Sequence, residues 1–577
     1  MITCSIKVPN MDEEFWCSFI YASNFAEERK ELWRDIQAQH DMASFRGKAW
    51  MVLGDFNEIL DLDEHSNSAT SPMITSSMQN FQEVVRYCSL SDMSTHGPKF
   101  TWCNKQEEGV ICKKLDRVLH NMSWTQSFAQ SYCVMESGGC SDHLRGKIFL
   151  SSDIQKPKGP FKFTNAIASQ PEFLLAVEDH WRQSSPLFHS TSSLFRFSKK
   201  LKLLKPSLRA LSRKKMANIS TRASKAYEDL CSRQMAVLAS PSPQVVAEES
   251  IAFERWERVV GLEESFLKQK SKLHWLQVGD KNNKFFHNAV KERHSVNSIH
   301  SVIDHHGVTL TDMEEIKGEA VRFFSELLTI KPPDFTGLSV EGLRELLPFR
   351  CSVTQQEHLI SEVTELEVRK VIFSMPQNKS LGPDGYTVEF FKEAWSVIGS
   401  DLTKAIQSFF IYGFLPKGLN TTILALIPKK SEAREMKDYR PISCCNVLYK
   451  VISKILANRL KSTLPGFIAP NQSAFIKDRL LMENLLLASE LLKDYHKEGI
   501  SARCAMKIDI SKAFDSVQWP FLLNTLSAVN LPDKFIHWIK LCVSTASFSV
   551  QVNGELDGFL EVNEVSDKAV HSHLTSL

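Results

Sequence analysis

At 577 residues the chain is too long for one ordinary core, and a domain size of about 150 residues gives roughly four units at most. Hydrophobic residues at 43% and charged residues at 24% exclude wholesale disorder and a fibrous repeat. Lys+Arg 69 against Asp+Glu 67 leaves +2, which excludes a uniformly basic nucleic-acid coat but leaves room for a local basic face.

The 13 cysteines, with no CxxC pair and no secretory leader, read as reduced thiols, and the adjacent Cys444 and Cys445 as core. No run of about 18 apolar residues occurs, so no membrane span is expected and the chain reads as intracellular.

In chain order, residues 1–150 mix short β-rich runs at 15–20 and 49–53 with polar turns and a helical stretch at 27–39, an α/β pattern. Residues 151–350 read as a helical connector, with charged stretches at 198–230 and 246–276 separated by Ser240-Pro-Ser-Pro243. Within it, residues 196–225 carry eleven Lys and Arg and no Asp or Glu. Such a run is either a solvated helix face or an arm that binds nucleic-acid phosphates with strong salt dependence. A further α/β region fills 351–577, with an amphipathic helix predicted at 365–373 and a buried strand at 422–427. Lys331-Pro-Pro333 and the surroundings of Pro348 are the linker candidates ahead of it.

The strand at 50–53 runs into Gly54-Asp55-Phe56-Asn57, which places a carboxylate and an amide at a strand end, with glycine permitting a tight exit. Phosphodiester cleavage needs a positioned water, a group that takes its proton, a divalent ion and donors to the charged phosphorane. Carboxylate, amide and imidazole supply these. Lys114-Leu-Asp116-Arg117 and Ser141-Asp142-His143 follow downstream, and each motif alone is more often an ordinary turn.

Taken in order with Tyr21 in Phe19-Ile-Tyr-Ala22 and with Phe100-Thr-Trp102, the set resembles the endonuclease/exonuclease/phosphatase family, in its apurinic-endonuclease-like branch carried by retrotransposons. The resemblance implies a four-layer α/β sandwich. In it Asp55 would orient or deprotonate the attacking water, Asn57 would hold the phosphate and His143 would contact the scissile phosphate. Asp116 would orient His143, Asp142 would lie in the metal region, and Tyr21 would be a phosphate donor. The family's opening strands, one with an Asn and one with the Glu that is its principal metal ligand, have no counterpart here. A partial sandwich with exposed sheet edges is therefore expected.

In Ala505-Met-Lys-Ile-Asp509-Ile-Ser-Lys-Ala-Phe514-Asp515 a β-run delivers Asp509 at a strand end and a helix follows. Two-metal nucleotidyl transfer needs such a carboxylate, although the same arrangement is ordinary α/β architecture. Several blocks stand in order ahead of it: Asn378-Lys-Ser-Leu-Gly-Pro-Asp-Gly385, Leu426-Ile-Pro-Lys-Lys430, Asp438-Tyr-Arg-Pro-Ile-Ser443 and Asn471-Gln-Ser-Ala-Phe-Ile-Lys-Asp-Arg479. With Tyr449-Lys-Val-Ile-Ser-Lys-Ile-Leu-Ala-Asn-Arg-Leu460, they closely resemble the reverse transcriptase of plant-type LINE (non-LTR) retrotransposons. In the connector, His274-Trp-Leu-Gln-Val-Gly-Asp280 and Lys284-Phe-Phe-His287 are similar to the segment joining endonuclease to polymerase in those polyproteins.

By that resemblance 351–577 is part of a fingers-palm polymerase domain, with RNA and DNA as partners and nuclear access implied. Mg2+ or Mn2+ is the implied cofactor, held by Asp509 in the polymerase and near Asp142 in the endonuclease. Lys429 or Lys430 and Arg440 would neutralise the triphosphate, Arg479 would face the template, and Phe514 would gate against a ribose 2′-hydroxyl. For each cation the plain alternative is a surface salt bridge. The family's Arg-Gln-Gly-Asp-Pro block and its hairpin with two adjacent Asp find no match after Glu555. The expectation is an α/β multidomain protein of RNA-directed DNA polymerase and endonuclease ancestry, which serves target-primed reverse transcription in intact relatives and is catalytically inactive here. The alternative is a nucleic-acid-binding remnant without catalysis.

Overall fold

The computed structural model describes residues 1–8, 14–45, 47–67, 74–106, 109–128, 131–137, 139, 141–150, 160–271, 298–329, 337–377, 379–430, 433–463, 466, 468–469, 471–472, 479–493, 506, 508 and 517–561. It is a mixed α/β structure in two compact units. The first is built on Met1–Gly159, with short segments ending at His300 and Arg440, and the second on Pro160–Val278, Ser301–Ile427 and Pro441–Leu577.

In the first unit the strands are β1 (Ile2–Lys7), β2 (Glu14–Tyr21), β3 (Trp50–Asp55), β4 (Ser91–Asp92), β5 (Thr95–His96), β6 (Trp102–Cys103) and β7 (Cys112–Lys113). They are followed by β8 (Asp116–His120), β9 (Tyr132–Ser137) and β10 (Leu144–Phe149). A five-stranded sheet has the order β1-β2-β3-β8-β4, a three-stranded one β10-β9-β5, and β6 pairs with β7. β2 and β3 run parallel, joined through helix α1 (Ala26–Asp41), which begins one residue ahead of the predicted 27–39 stretch.

Period-two alternation decides what each face of the large sheet meets. Trp50 and Val52 of β3 and Ile20 of β2 join Trp33 and Ile36 of α1 and Phe81 and Val84 of α2 (Ser76–Tyr87) in one core. Met51, Phe15 and Cys17 point the other way and pack with Trp124 of α3 (Met122–Ser127) and Cys133 and Met135 of β9. Burying each large apolar side chain contributes roughly 1.5–3 kcal/mol, so both faces of β3 hold its end in a fixed place. Asn121 caps α3 by accepting the Trp124 N–H at 2.9 Å and also accepts the Trp50 N–H at 3.1 Å.

In the second unit the predicted helical connector contains α4 (Pro171–Arg182), α5 (Ser193–Met216), α6 (Ile219–Ala239) and α7 (Pro243–Ser271), with the Pro/Ser break between the last two. Phe173, Phe197, Leu201, Leu204 and Leu208 of α4 and α5 share one core with Phe390, Ile398, Phe409 and Ile452 from further along the chain. The predicted 365–373 helix spans Glu365–Ser374, and the 422–427 strand lies within Thr421–Pro428. That strand is central in a four-stranded sheet, flanked by Tyr439–Cys445 and, in parallel, by Ser547–Val552, which turns back into Glu555–Glu561. Cys444 and Cys445 are buried core residues, as read from the sequence. Lys331-Pro-Pro333 lies outside the described residues.

The Gly-Pro-Asp-Gly385 turn is a packing device. A Cβ on Gly385, at φ +76°, would sit 1.9 Å from the Phe161 carbonyl oxygen, and Phe163 N–H donates to the Gly385 carbonyl at 2.9 Å. Asn446 Oδ1 accepts the Asp384 N–H at 3.0 Å, which ties the turn to the start of the helix Val447–Lys461.

Candidate functional site

Three adjacent strands bring the first site together. Tyr21 of β2 is registered with Asp55 of β3, and Asp55 with Asp116 of β8. Directly paired residues share a face, so the strand ends place both carboxylates side by side. Gly54 is obligatory in this arrangement: its φ is +135°, and a Cβ would fall 2.0 Å from the Ile20 carbonyl oxygen. Beyond the strand, Ala22 N–H donates to the Asp55 carbonyl at 2.8 Å and Phe56 N–H to the Leu115 carbonyl at 3.0 Å.

His143 arrives through an isolated antiparallel bridge to Trp102. Its Nδ1 lies 2.9 Å from Asp116 Oδ2. Beneath them, the buried Thr101 hydroxyl accepts the N–H groups of Leu115 and Asp116 at 3.0 and 2.9 Å, and the Thr101 carbonyl accepts the Leu144 N–H at 2.8 Å. One threonine thus pins the chain on either side of the His-Asp pair. Thr101 belongs to the Phe100-Thr-Trp102 motif, but a hydroxyl that accepts from residues 14 and 15 positions later carries no local sequence signal.

Asp55, Asp116 and His143 present ligand atoms that all lie within 4.8 Å of one another. Burial raises the Asp55 carboxyl above its ordinary value, with the Asn57 N–H, at 2.9 Å from Oδ1, opposing and the Asp116 charge reinforcing. For His143, burial acts downward, but the hydrogen bond and charge of Asp116, with Asp55 and Asp142, outweigh it and raise the imidazole above its usual range. The site therefore favours an imidazolium held between carboxylates.

Asn57 sits at φ +48°, a left-handed position that asparagine tolerates. Its Nδ2 donates to the Ala22 carbonyl at 3.2 Å and to Asn24 Oδ1 at 2.7 Å. Because a carbonyl only accepts, this fixes the amide orientation and leaves Oδ1 as the group facing away. The buried Arg29 supports the same loop by donating to the Ser23 and Asn24 carbonyls at 2.9 and 3.0 Å and pairing with Glu58 at 2.8 Å. Arg29 falls at i, i+4, i+7 with Trp33 and Ile36 on the buried face of α1, a spacing that marks its burial though not its partners.

Asp142 is not part of the three-residue cluster. Its Oδ2 accepts the Trp102 indole N–H at 2.8 Å, and that bond chiefly holds its carboxyl below the usual range. Tyr21 is 87% exposed at its strand end, with its phenol turned to solvent.

Among the polymerase-type residues, Asp509 and Phe514 lie outside the described residues, as do residues 274–280 and 284–287. Lys430 pairs with Asp438 at 2.9 Å, and Lys429 donates to the Lys437 carbonyl at 2.6 Å. Arg479 donates to the carbonyls of Ala469 and Gln472, both at 2.6 Å, which makes it the clasp of a turn. Arg440 is exposed.

The basic run of 196–225 divides by role. Lys200 is buried against Asp401 at 2.6 Å, and Lys215 pairs with Glu172 at 2.6 Å. Lys199, Lys202, Arg209 and Arg213 are exposed on α5, and of these Arg209 lays its guanidinium 5.5 Å from the centre of the Phe161 ring.

Residues 427–566 match the family described as reverse transcriptase (RNA-dependent DNA polymerase). Over 550 residues the chain is 27% identical to the uncharacterized 149 kDa protein of transposon TX1 from Xenopus laevis, which covers 93% of this chain and 41% of that protein. It is 30% identical over 207 residues to the Pol polyprotein of the type-2 retrotransposable element R2DM from Drosophila melanogaster, 35% of this chain and 19% of that one. An R2 element protein from Nasonia vitripennis is 28% identical over 181 residues, 31% of this chain and 16% of its own length. The chain thus spans less than half of each of these relatives. Among the described residues no helix is long and apolar enough to cross a membrane. The reverse transcriptase match over residues 427–566, together with similarity to both the TX1 and the R2 proteins, supports a LINE-type, non-LTR retrotransposon polyprotein.

Proposed function

We propose that the first unit is a metal-assisted phosphodiesterase of the endonuclease/exonuclease/phosphatase type, a partial α/β sandwich in a protein whose residues 351–577 are the fingers and part of the palm of an RNA-directed DNA polymerase. The observation that carries this reading is the convergence of Asp55, Asp116 and His143. Mg2+ is commonly held by one or two carboxylates together with waters and substrate phosphate, and the donor set fits that habit. Asp116 Oδ1, not engaged by His143, is the oxygen that would hold the ion, while Asp55 Oδ2, not engaged by Asn57, is left for the attacking water. When bound there, a divalent ion supplies positive charge to the developing phosphorane and acidifies water.

The residues divide the remaining work. Asp55, its carboxyl raised by burial, accepts the proton of the attacking water. His143, protonated and fixed by Asp116, offers Nε2–H to a non-bridging phosphate oxygen. Asn57, expected from the resemblance to hold the phosphate, has its Nδ2 taken by Ala22 and Asn24 and offers Oδ1 to orient the water instead. In the polymerase region Asp509 holds metal, Arg440 meets the triphosphate and Phe514 screens the sugar, all by family likeness.

Binding without catalysis is the second reading, favoured by the exposed cations of α5. One experiment separates the two. The full chain is incubated with supercoiled plasmid, with and without Mg2+, and its DNA and RNA binding is titrated in parallel. Nicking that requires Mg2+ and disappears in Asp55→Ala and His143→Ala establishes the phosphodiesterase. Binding with a steep salt dependence and no nicking establishes the second reading.

A further inference from the structure

Cys103 and Cys112 face each other directly across β6 and β7. One pair along, Asn104 N–H donates to the Ile111 carbonyl at 3.0 Å. Hydrogen-bonded and non-hydrogen-bonded pairs alternate in an antiparallel ladder, so Cys103 and Cys112 form a non-hydrogen-bonded pair. The backbone of Cys112 turns instead to Ser66: its N–H donates to Ser66 Oγ at 3.0 Å, and its carbonyl accepts the Ser66 N–H at 2.9 Å.

In pairs of this class the Cα atoms are about 4.5 Å apart and the side chains are close. That spacing lies within the roughly 4.4–6.8 Å that disulfides accept. Each thiol is close enough to shift the other's titration. Both side chains are partly accessible, whereas Cys17, Cys88 and Cys133 are buried.

The pair is also chemically unequal. The Lys105 backbone N–H, then the Cys112 thiol and the Lys105 charge, hold Cys103 below the ordinary thiol value, while Cys112 is raised by the Cys103 thiol. Burial pushes Cys17 and Cys88 up to about 12 and Cys133 to about 11, which keeps them as unreactive thiols.

We propose that Cys103 and Cys112 are a redox modification site that closes a reversible cross-strand disulfide when a peroxide is the oxidant. The Cys103 sulfur attacks one peroxide oxygen, the O–O bond breaks, and the departing hydroxide takes a proton to become water, leaving Cys103 as a sulfenic acid. The Cys112 sulfur then attacks the Cys103 sulfur. The S–O bond breaks, and hydroxide leaves with the Cys112 proton as a second water. Two thiols and one hydrogen peroxide give one disulfide and two waters. The bridge closes the ribbon from which Trp102 reaches Asp142 and pairs with His143. The inference stands on β6 and β7 and is independent of the phosphodiesterase reading.

The test is thiol mapping of the full chain after brief exposure to equimolar hydrogen peroxide, with alkylation and peptide mass spectrometry. A peptide joining Cys103 to Cys112, lighter by two hydrogens and released by dithiothreitol, is expected while Cys17, Cys88 and Cys133 stay reduced. In Cys112→Ser, Cys103 is expected to stop at a sulfenic acid that dimedone traps. The native map decides even where that variant does not fold. Both thiols remaining alkylated, or over-oxidation without the joined peptide, overturns the proposal.

Discussion

Asp116 Oδ2 lies 2.9 Å from His143 Nδ1, with the two side chains 16% and 26% exposed. An ion pair so placed keeps the imidazole charged above its ordinary pKa, and this has a direct consequence for pH dependence. A raised folded-state pKa contributes stability that is fully present below the ordinary histidine value and fades as pH rises through the raised one. Asp116→Asn removes the partner charge, so the His143 ring is expected to titrate at lower pH than in the native chain. An NMR titration of the His143 ring protons measures this, and identical midpoints in the two chains would show that the pair does not form.

Gly54→Ala addresses the backbone beneath Asp55. The added Cβ meets the Ile20 carbonyl oxygen at 2.0 Å and must also adopt φ +135°. Strain of that kind costs about 1–3 kcal/mol before any clash, and separating β2 from β3 adds to it. The expected result is a urea midpoint lowered for the first unit alone, together with loss of any Mg2+-dependent nicking. A variant as stable as the native chain would contradict the register of Tyr21 with Asp55.

A buried ionic cluster below the same loop offers a third test. The side chain of Arg117 is 0% exposed and pairs with Glu64 and Asp92, while Glu64 Oε2 also accepts the Leu60 N–H at 2.8 Å. Removing one member of a buried pair leaves an uncompensated charge, typically about 3–5 kcal/mol. Glu64→Leu is expected to lose that much in chemical denaturation, whereas the double change Glu64→Leu with Arg117→Met is expected to recover part of the loss.

These residues also show how far the sequence could be read. Asp55, Asp116 and His143 were legible because the motifs lie at strand ends in a recognisable order, and because β2 and β3 are bounded by clear alternation. Thr101, Asn24, Arg29 and Glu64 were not. Their roles come from contacts between segments dozens of residues apart, such as the Arg117–Glu64 pair across 53 positions, which no local period encodes. The same holds for the contact of Asp142, placed in the metal region by resemblance, whose Oδ2 accepts from an indole 40 positions earlier. In the second unit the buried strand within Thr421–Pro428 was plain from its apolar run, while its parallel partner Ser547–Val552 depends on a pairing no neighbouring residue announces.

The cations of α5 carry the last prediction, because two readings of one charge run make opposite demands. Lys200 is structural: it neutralises Asp401 at 2.6 Å inside the second unit, so Lys200→Gln strands a partly buried carboxylate and is expected to destabilise by about 3 kcal/mol. Lys199, Lys202, Arg209 and Arg213 are exposed on another face of α5, and replacing them with Gln is expected to change stability by no more than about 0.5 kcal/mol each. If this face tracks a phosphodiester backbone, each contact removed lowers the slope of log K against log salt by about 0.9 on duplex DNA or about 0.7 on a single strand. The fourfold variant then binds with a slope shallower by roughly three, while its unfolding transition stays in place. A slope unchanged by all four replacements identifies the face as solvated helix surface and moves the nucleic-acid contacts elsewhere in the chain.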